Sequence, residues 1–401
     1  MALGPIVDFL YDKSMPLFAF SDDADFTAKV SREIIRGIQD QGVCATAKHF
    51  PGLGSNNISM HFGHGRNVLP FDEWMQTYGH IYKETIDEGV LCIMNTHTML
   101  ESYAKEYENG YAPIATYSSK LTTELLKEKL GFEGAVVTDA LIMGGMSTGD
   151  IVAETVQAFK AGADLLLWPP MEAADKIEEL ILSGEIPMSR LDDALARIEK
   201  MREFRNKALK EKSFDTPDKD WADKKSTEIT KNGLCLYKNE LGLIPLDKNK
   251  INKILLIDAT EYEAVASAPL IKKALENEGF TVDLKRDGLY DEPSLVAWPE
   301  ETEKLQKDYD LVIFNMNMTY ETSWRTNFML IWLSQQLDKN KKVIINYGSP
   351  FFAEAYFGED KTIIEVNNSH TFEPIIKLVS DALLGKIEMN GQKVLTGKAK
   401  G

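Results

Sequence analysis

Short apolar runs alternate with amphipathic helical stretches through the first half of the chain. Pro5–Phe9, Cys44–Phe50, Val90–Thr96, Gly134–Ala140 and Ala163–Pro169 are mostly apolar at both odd and even positions. That pattern marks parallel strands buried on both faces. Between them, Asp22–Gln39, Pro70–Glu88, Ser118–Lys129, Asp150–Ala161 and Met171–Ser183 carry the helical period. Repeated βα units predict an α/β fold with a parallel sheet, either a barrel or an open doubly wound sheet. A long charge-laced helix over Leu191–Lys212 follows, and then the polar, proline-broken stretch KSFDTPDKD. A second strand series lies beyond it, at Lys253–Asp258, Thr281–Lys285, Asp310–Met316, Lys342–Tyr347 and Thr362–Val366. Helices are expected at Pro269–Glu278, Glu300–Lys307, Asn327–Leu337 and Phe372–Leu384. The expected division is a first domain over 1–211, a linker over 212–220 and a second α/β domain over 221–401.

Composition narrows the partners. With 401 residues and a formal net charge of -17, the chain is ill suited to nucleic acid or to an anionic membrane surface. No apolar run reaches the ~18 residues of a bilayer span. The start, MALGPIVDFLYDK, lacks a basic n-region and a cleavage-like site, so the expected location is the cytoplasm. Cys44, Cys92 and Cys235 are far apart and odd in number. They suit buried thiols in a reducing compartment better than a disulfide framework or a zinc site.

Polar chemistry gathers at the C-terminal ends of the first strand series, where parallel barrels place their sites. The first strand ends at Asp8 and the second at Lys48 and His49. The third ends in Asn95, Thr96 and His97, and the fourth in Thr138 and Asp139. The second strand runs on into KHFPGLGSNNISMHFGHG, which also holds His61 and His64. A carboxylate facing an imidazole on a flexible loop is a workable nucleophile and acid/base set. Asp139 could equally be a helix N-cap, and His64 and His80 could simply close loops. The loop histidines lack metal-binding spacing and have no nearby cysteine or carboxylate, so no metal is expected. No phosphate-cradling GxxxxGK[ST] pattern occurs and no organic cofactor is implied.

KHFPGLG with His61, GFEGAVVTDALIMGGM (131–146), AFKAGADLLLWPP (158–170) and SRLDDALARIEKM (189–201) together resemble glycoside hydrolase family 3, in its β-N-acetylglucosaminidase branch. The likeness extends to ITKNGLCLYKNELGLIPL (229–246) and YGSPFFAEAYF (347–357) in the second half. The resemblance implies a (β/α)8 TIM-type barrel followed by an α/β sandwich domain. Asp139 would be the nucleophile of a retaining exo-β-glycosidase and His61 its acid/base. Lys48 and His49 would bind the sugar hydroxyls, with Asp8 and His97 as looser matches. The implied partner is a β-linked carbohydrate, and the implied reaction is hydrolysis of terminal β-N-acetylglucosaminides. A β-glucosidase is the alternative within the family.

Two departures bear on that expectation. The branch usually has Asp-x-His, whereas this chain has Ser59-Met60-His61. A serine offers one hydrogen bond but no charge to hold the imidazole. Five strands are readable, resembling the last five of eight, and a whole barrel takes about 250 residues. A partial barrel would leave two open sheet edges. A longer parent protein, or a second chain forming a dimer, could supply the missing strands. A truncated or degenerate, non-catalytic sugar-binding relative is the remaining reading.

Overall fold

A computed structural model of the chain describes residues 1–9, 19–53, 60–105, 112–146, 149–211, 218–260, 266–286, 303, 306–317, 333–348, 350, 356–366 and 373–393. The backbone falls into two compact units, Met1–Asp215 with Thr396–Gly401, and Thr216–Leu395.

In the first unit β1 (Thr46–Phe50), β3 (Cys92–Asn95) and β5 (Ala135–Thr138) form a parallel sheet in that order. Between them, β2 (Gly65–Asn67) and β4 (Thr98–Leu100) make a small parallel pair of their own. Single parallel bridges, Ile6 to Lys48 and Val137 to Leu165, extend the main sheet on both sides. The five apolar runs are therefore neighbours in chain order. One face packs Val7, Ala47, Phe50, Ile93 and Val136 against the helices. The opposite face buries Cys92, Met94 and Val137 beneath Leu165, Leu167 and Met201. Burial holds the Cys92 thiol in its protonated form, its pKa pushed up to about 12. All three cysteines are free and buried.

Local signals explain most helix limits. Asp23 caps the helix Ala24–Asp40 by accepting from Phe26 N at 3.1 Å, and Asp150 caps Ile151–Ala161 through Ala153 N at 3.0 Å. The expected helix over 70–88 is two, Phe71–Gln76 and Tyr78–Asp87. Thr77 between them leaves helical geometry at φ -112° and ψ -92°. The break seats Gly79 against Trp74 and Met75, where an added Cβ would lie 3.1–3.2 Å from Trp74 and Met75 atoms.

The second unit holds a six-stranded sheet in the order β6 (Cys235–Asn239), β11 (Thr362–Glu365), β10 (Lys342–Asn346), β9 (Leu311–Asn317), β7 (Lys253–Thr260), β8 (Thr281–Arg286). All pairs are parallel except β6 with β11. Side chains alternate between two buried layers: Ile254, Leu256 and Ile313 on one face, Leu255, Ile257 and Phe314 on the other. Continuous apolar strands are what such two-sided burial requires. Most of the expected helices over 300–307 and 327–337 lie outside the described residues. Among the described residues, no helix is long and apolar enough to cross a membrane.

Candidate active site

The first unit brings its polar strand ends together. Asp139 follows β5, and its backbone N–H donates to Asn95 O at 2.8 Å. Its carboxylate accepts from Ala140 N at 2.8 Å and from Thr96 Oγ1 at 2.9 Å. Burial pushes this carboxyl up. The His49 and His97 rings and the two hydrogen bonds outweigh that effect, and the group sits below the usual carboxylate value. It is not the cap of the next α-helix, Ile151–Ala161, which Asp150 caps. Asp139 is therefore a half-buried, ionised carboxylate at a strand end.

His97 is fully buried. Nε2 lies 3.1 Å from Ala140 O and must donate to it, so Nδ1 accepts from Thr116 Oγ1 at 2.8 Å. Burial lowers its pKa and keeps the ring neutral at neutral pH. Beside the His49 ring, the support for the Asp139 anion thus comes from Thr96 and Ala140. His97 holds the backbone beside the carboxylate, and both of its nitrogens are taken up inside the protein.

Asp8 is also an internal brace. Its Oδ2 lies 2.8 Å from His49 Nδ1 and accepts from His49 N at 3.1 Å, while Oδ1 accepts from Leu53 N at 3.1 Å. Nδ1 of His49 thereby donates to the Asp8 carboxylate. Phe50 packs edge-on against Trp74 and Tyr82, and Trp74 Nε1 donates to Pro51 O at 2.7 Å. Gly52, at φ 99°, has no room for a Cβ beside Tyr78. The KHFPG motif is thus a polar pair followed by a packing anchor. Lys48 is half-buried, paired in register with Met94.

The His61 loop is fastened to this frame. Met60 Sδ lies 3.1 Å from both Thr96 Oγ1 and Thr98 Oγ1. Thr96 has one hydroxyl proton, and the carboxylate is the stronger acceptor, so Thr98 holds the sulfur. Gly144 N donates to His61 O at 3.0 Å and Gly145 N to Met60 O at 2.9 Å. A Cβ on Gly145 would come within 2.6 Å of Met60 O, so the close approach requires glycine. Gly65 N donates to His97 O at 2.8 Å and closes the far end. The His61 side chain is exposed and His64 half-buried; Ser59 lies outside the described residues.

Two expectations at this mouth change. Asn95 does not face it: its amide donates to Thr122 Oγ1 at 2.9 Å on the buried helix side. His80 closes no loop; it sits on the helix Tyr78–Asp87, with Nε2 2.9 Å from Asp25 Oδ1. Thr96 reads in the sequence only as part of a polar strand end, without a role, and Met60 and Gly144–Gly145 escaped the sequence reading. Only the spacing of TDALIMGG hinted at the glycines.

Thr96→Val removes one of the two donors to Asp139 and leaves Thr98 on Met60. The ionised form loses support, so the acid limb of kcat/KM is expected to move to higher pH. A pH–rate profile on the folded variant checks this; an unmoved limb would show that Thr96 does not tune the carboxylate.

Comparison with known proteins adds three findings. Residues 1–201 match the model of the glycosyl hydrolase family 3 N-terminal domain. A β-N-acetylglucosaminidase/β-glucosidase of Cellulomonas fimi is 28% identical over 273 residues, covering 64% of this chain and 48% of that protein. Among solved structures, a β-glucoside phosphorylase BglX superimposes with a TM-score of 0.82 at 24% identity, over 99% of this chain and 74% of that one. A family 3 β-N-acetylglucosaminidase from Paenibacillus gives a TM-score of 0.80 at 22% identity, over 98% of this chain and 75% of that one. These structural likenesses establish the shared fold. The chain spans about half the length of the curated relatives it matches.

Proposed function

We propose, from the premise that this chain belongs to glycoside hydrolase family 3, that it is a retaining exo-β-glycosidase acting on terminal β-N-acetylglucosaminides. Its frame would be about the last five strands of a (β/α)8 barrel, followed by an α/β sandwich domain. The observation that carries the reading is the carboxylate of Asp139, kept ionised by Thr96 and Ala140 while the His61 loop is bonded to the turn that follows it.

In this reading Asp139 attacks the anomeric carbon, and the glycosidic bond breaks as His61 gives its proton to the leaving oxygen. A covalent glycosyl-enzyme results. The acceptor then displaces Asp139, and His61 takes up the acceptor's proton, with net retention. Lys48 and His49 would hold sugar hydroxyls. The names of the relatives, which include N-acetylglucosaminidase, glucosidase and phosphorylase, support a β-glycoside substrate class. A β-glucoside is the second reading, favoured by the double name of the Cellulomonas relative. An imidazole acid/base does not repel an anion as a carboxylate would, so phosphate is an acceptor worth including beside water.

The test is turnover of 4-nitrophenyl β-N-acetylglucosaminide and β-glucoside by the folded chain, each with and without phosphate. Turnover of the first, with a smaller rate on the second, is expected. Preference for the glucoside moves the assignment to the second reading. No turnover of either leaves a non-catalytic sugar-binding relative.

A further inference from the structure

Large apolar side chains stand exposed on the loops around Asp139: Phe62 beside His61 at 76%, Ile142 at 64% and Trp168 at 62%. Single exposed apolar residues are ordinary, but several at one mouth mark a binding surface. Trp168 stands apart from the others. It is the only non-glycine residue at positive φ among the described residues, at 55°. A branched or bulky side chain in that region is strained. It also precedes Pro169, a position biased toward extended backbone. The strain is held in place by the nucleophile's own neighbours. Leu167, the residue before it, donates its N–H to Thr138 Oγ1 at 3.0 Å and accepts from Leu141 N at 3.1 Å. Thr138 and Leu141 flank Asp139 in sequence, so the carboxylate and the indole are carried by one hydrogen-bonded frame. Pro169 and Pro170 stiffen the exit.

We infer that Trp168 is the stacking platform on which the apolar face of the substrate's pyranose ring rests, a specificity-determining contact that accompanies Asp139. This rests on the glycosidase reading above. One face of a pyranose presents polarised C–H groups, and the electron-rich face of an indole attracts them. An exposed ring carried on the same hydrogen-bonded frame as the carboxylate also aligns the sugar at the cost of few side-chain torsions.

The test uses the full chain. Trp168→Ala is expected to raise KM about tenfold, as befits one aromatic contact, with kcat within about threefold. Trp168→Phe should recover most of the loss. Trp168→Gly should raise Tm, because glycine accepts the positive φ, while binding sugar as poorly as the alanine variant. In the Asp139→Asn background, methyl N-acetyl-β-glucosaminide is titrated by calorimetry and by tryptophan fluorescence. Sugar-dependent quenching is expected while Trp168 is present and is expected to vanish when Trp168→Phe is added. Equal sugar affinity with and without Trp168→Ala overturns the inference, even if turnover is normal. Trp168-dependent binding without turnover of any substrate supports the inference and removes the hydrolase reading instead. No binding of the glycoside by any variant overturns the inference.

Discussion

Asp139→Ala abolishes turnover of whichever glycoside the chain accepts, with a fall in kcat on the order of 10⁴-fold or more, as for loss of a covalent nucleophile. The expectation rests on geometry. The carboxylate is only half-buried, and two donors hold it in its anionic form, at 2.8 and 2.9 Å. Asp139→Asn tests the same point with less disturbance, because an amide oxygen can still accept from Ala140 or Thr96. It should fold as the parent does and be nearly as inactive. Its stability has a signed pH dependence. The folded pKa of Asp139 is lowered. Its ionised form therefore contributes stability that is fully present above the unfolded value of about 3.9 and is lost as pH falls below it. Asparagine has no such contribution to lose. The Tm gap between parent and variant should thus narrow on acidification below about pH 4. A variant that keeps the parent's turnover would remove Asp139 from the chemistry altogether.

Much of this framework was legible in the chain. The five apolar runs were readable because buried parallel strands cannot hide their composition. The bridges at Ile6 and Leu165 show that the two outermost runs take their expected places as neighbours in the sheet. The second unit's parallel strands were readable for the same reason. The antiparallel strand Cys235–Asn239 was not. It has a partly exposed edge and a mixed sequence, CLYKN, without a clean two-residue period. The three-residue pair β2 and β4 is shorter than any pattern can resolve.

The site was legible as residue types and only partly as roles. Strand ends identified Asp8, His49, His97 and Asp139, and all four lie in one connected region. Their division of labour depends on distances that no spacing encodes. Asp8 braces His49, and His97 braces Ala140. Thr96 gives its proton to the carboxylate, and Thr98 holds Met60 of the His61 loop. Asn95 shows the limit most clearly. One register irregularity, between Lys48 and Phe50, attends the β1–β3 pairing. Asn95 lies opposite Phe50 there, and its side chain points to the helix layer. Sequence order alone placed it at the mouth.

The largest stability effect is expected at Asp164, within a motif that looked like part of the functional signature. AGADLLLWPP supplies Asp164, and SRLDDALARIEKM supplies Arg190, Asp193 and Arg197. The structure joins them in one ionic network. Asp164 Oδ1 lies 2.9 Å from Lys127 Nζ and 2.7 Å from Arg190 Nη2, and its Oδ2 accepts from Val136 N at 2.8 Å. Asp193 contacts Lys127, Arg190 and Arg197. Arg197 also donates to Phe132 O and Gly134 O, ahead of β5. The two motifs thus tie the start of the Asp139 strand to its neighbour and to the helix Met188–Glu211, far along the strand from the carboxylate. The Asp164 side chain is fully buried and that of Lys127 nearly so. Burial lowers the Lys127 pKa against the pull of Asp164. Asp164→Ala leaves an ammonium, a guanidinium and a backbone N–H without their shared acceptor. Removing one partner of a buried pair costs about 3–5 kcal/mol. That is a large share of a stability of roughly 5–15 kcal/mol, and it corresponds to a fall in Tm of about 10 °C in a unit of this size. Adding Lys127→Met should return part of the loss, because the stranded charge goes with it, and the double-mutant cycle measures that coupling. Chemical denaturation of the parent, both single variants and the double variant decides the matter. A fall of less than about 1 kcal/mol in Asp164→Ala would mean that water replaces the carboxylate and that the network is ornamental to the fold.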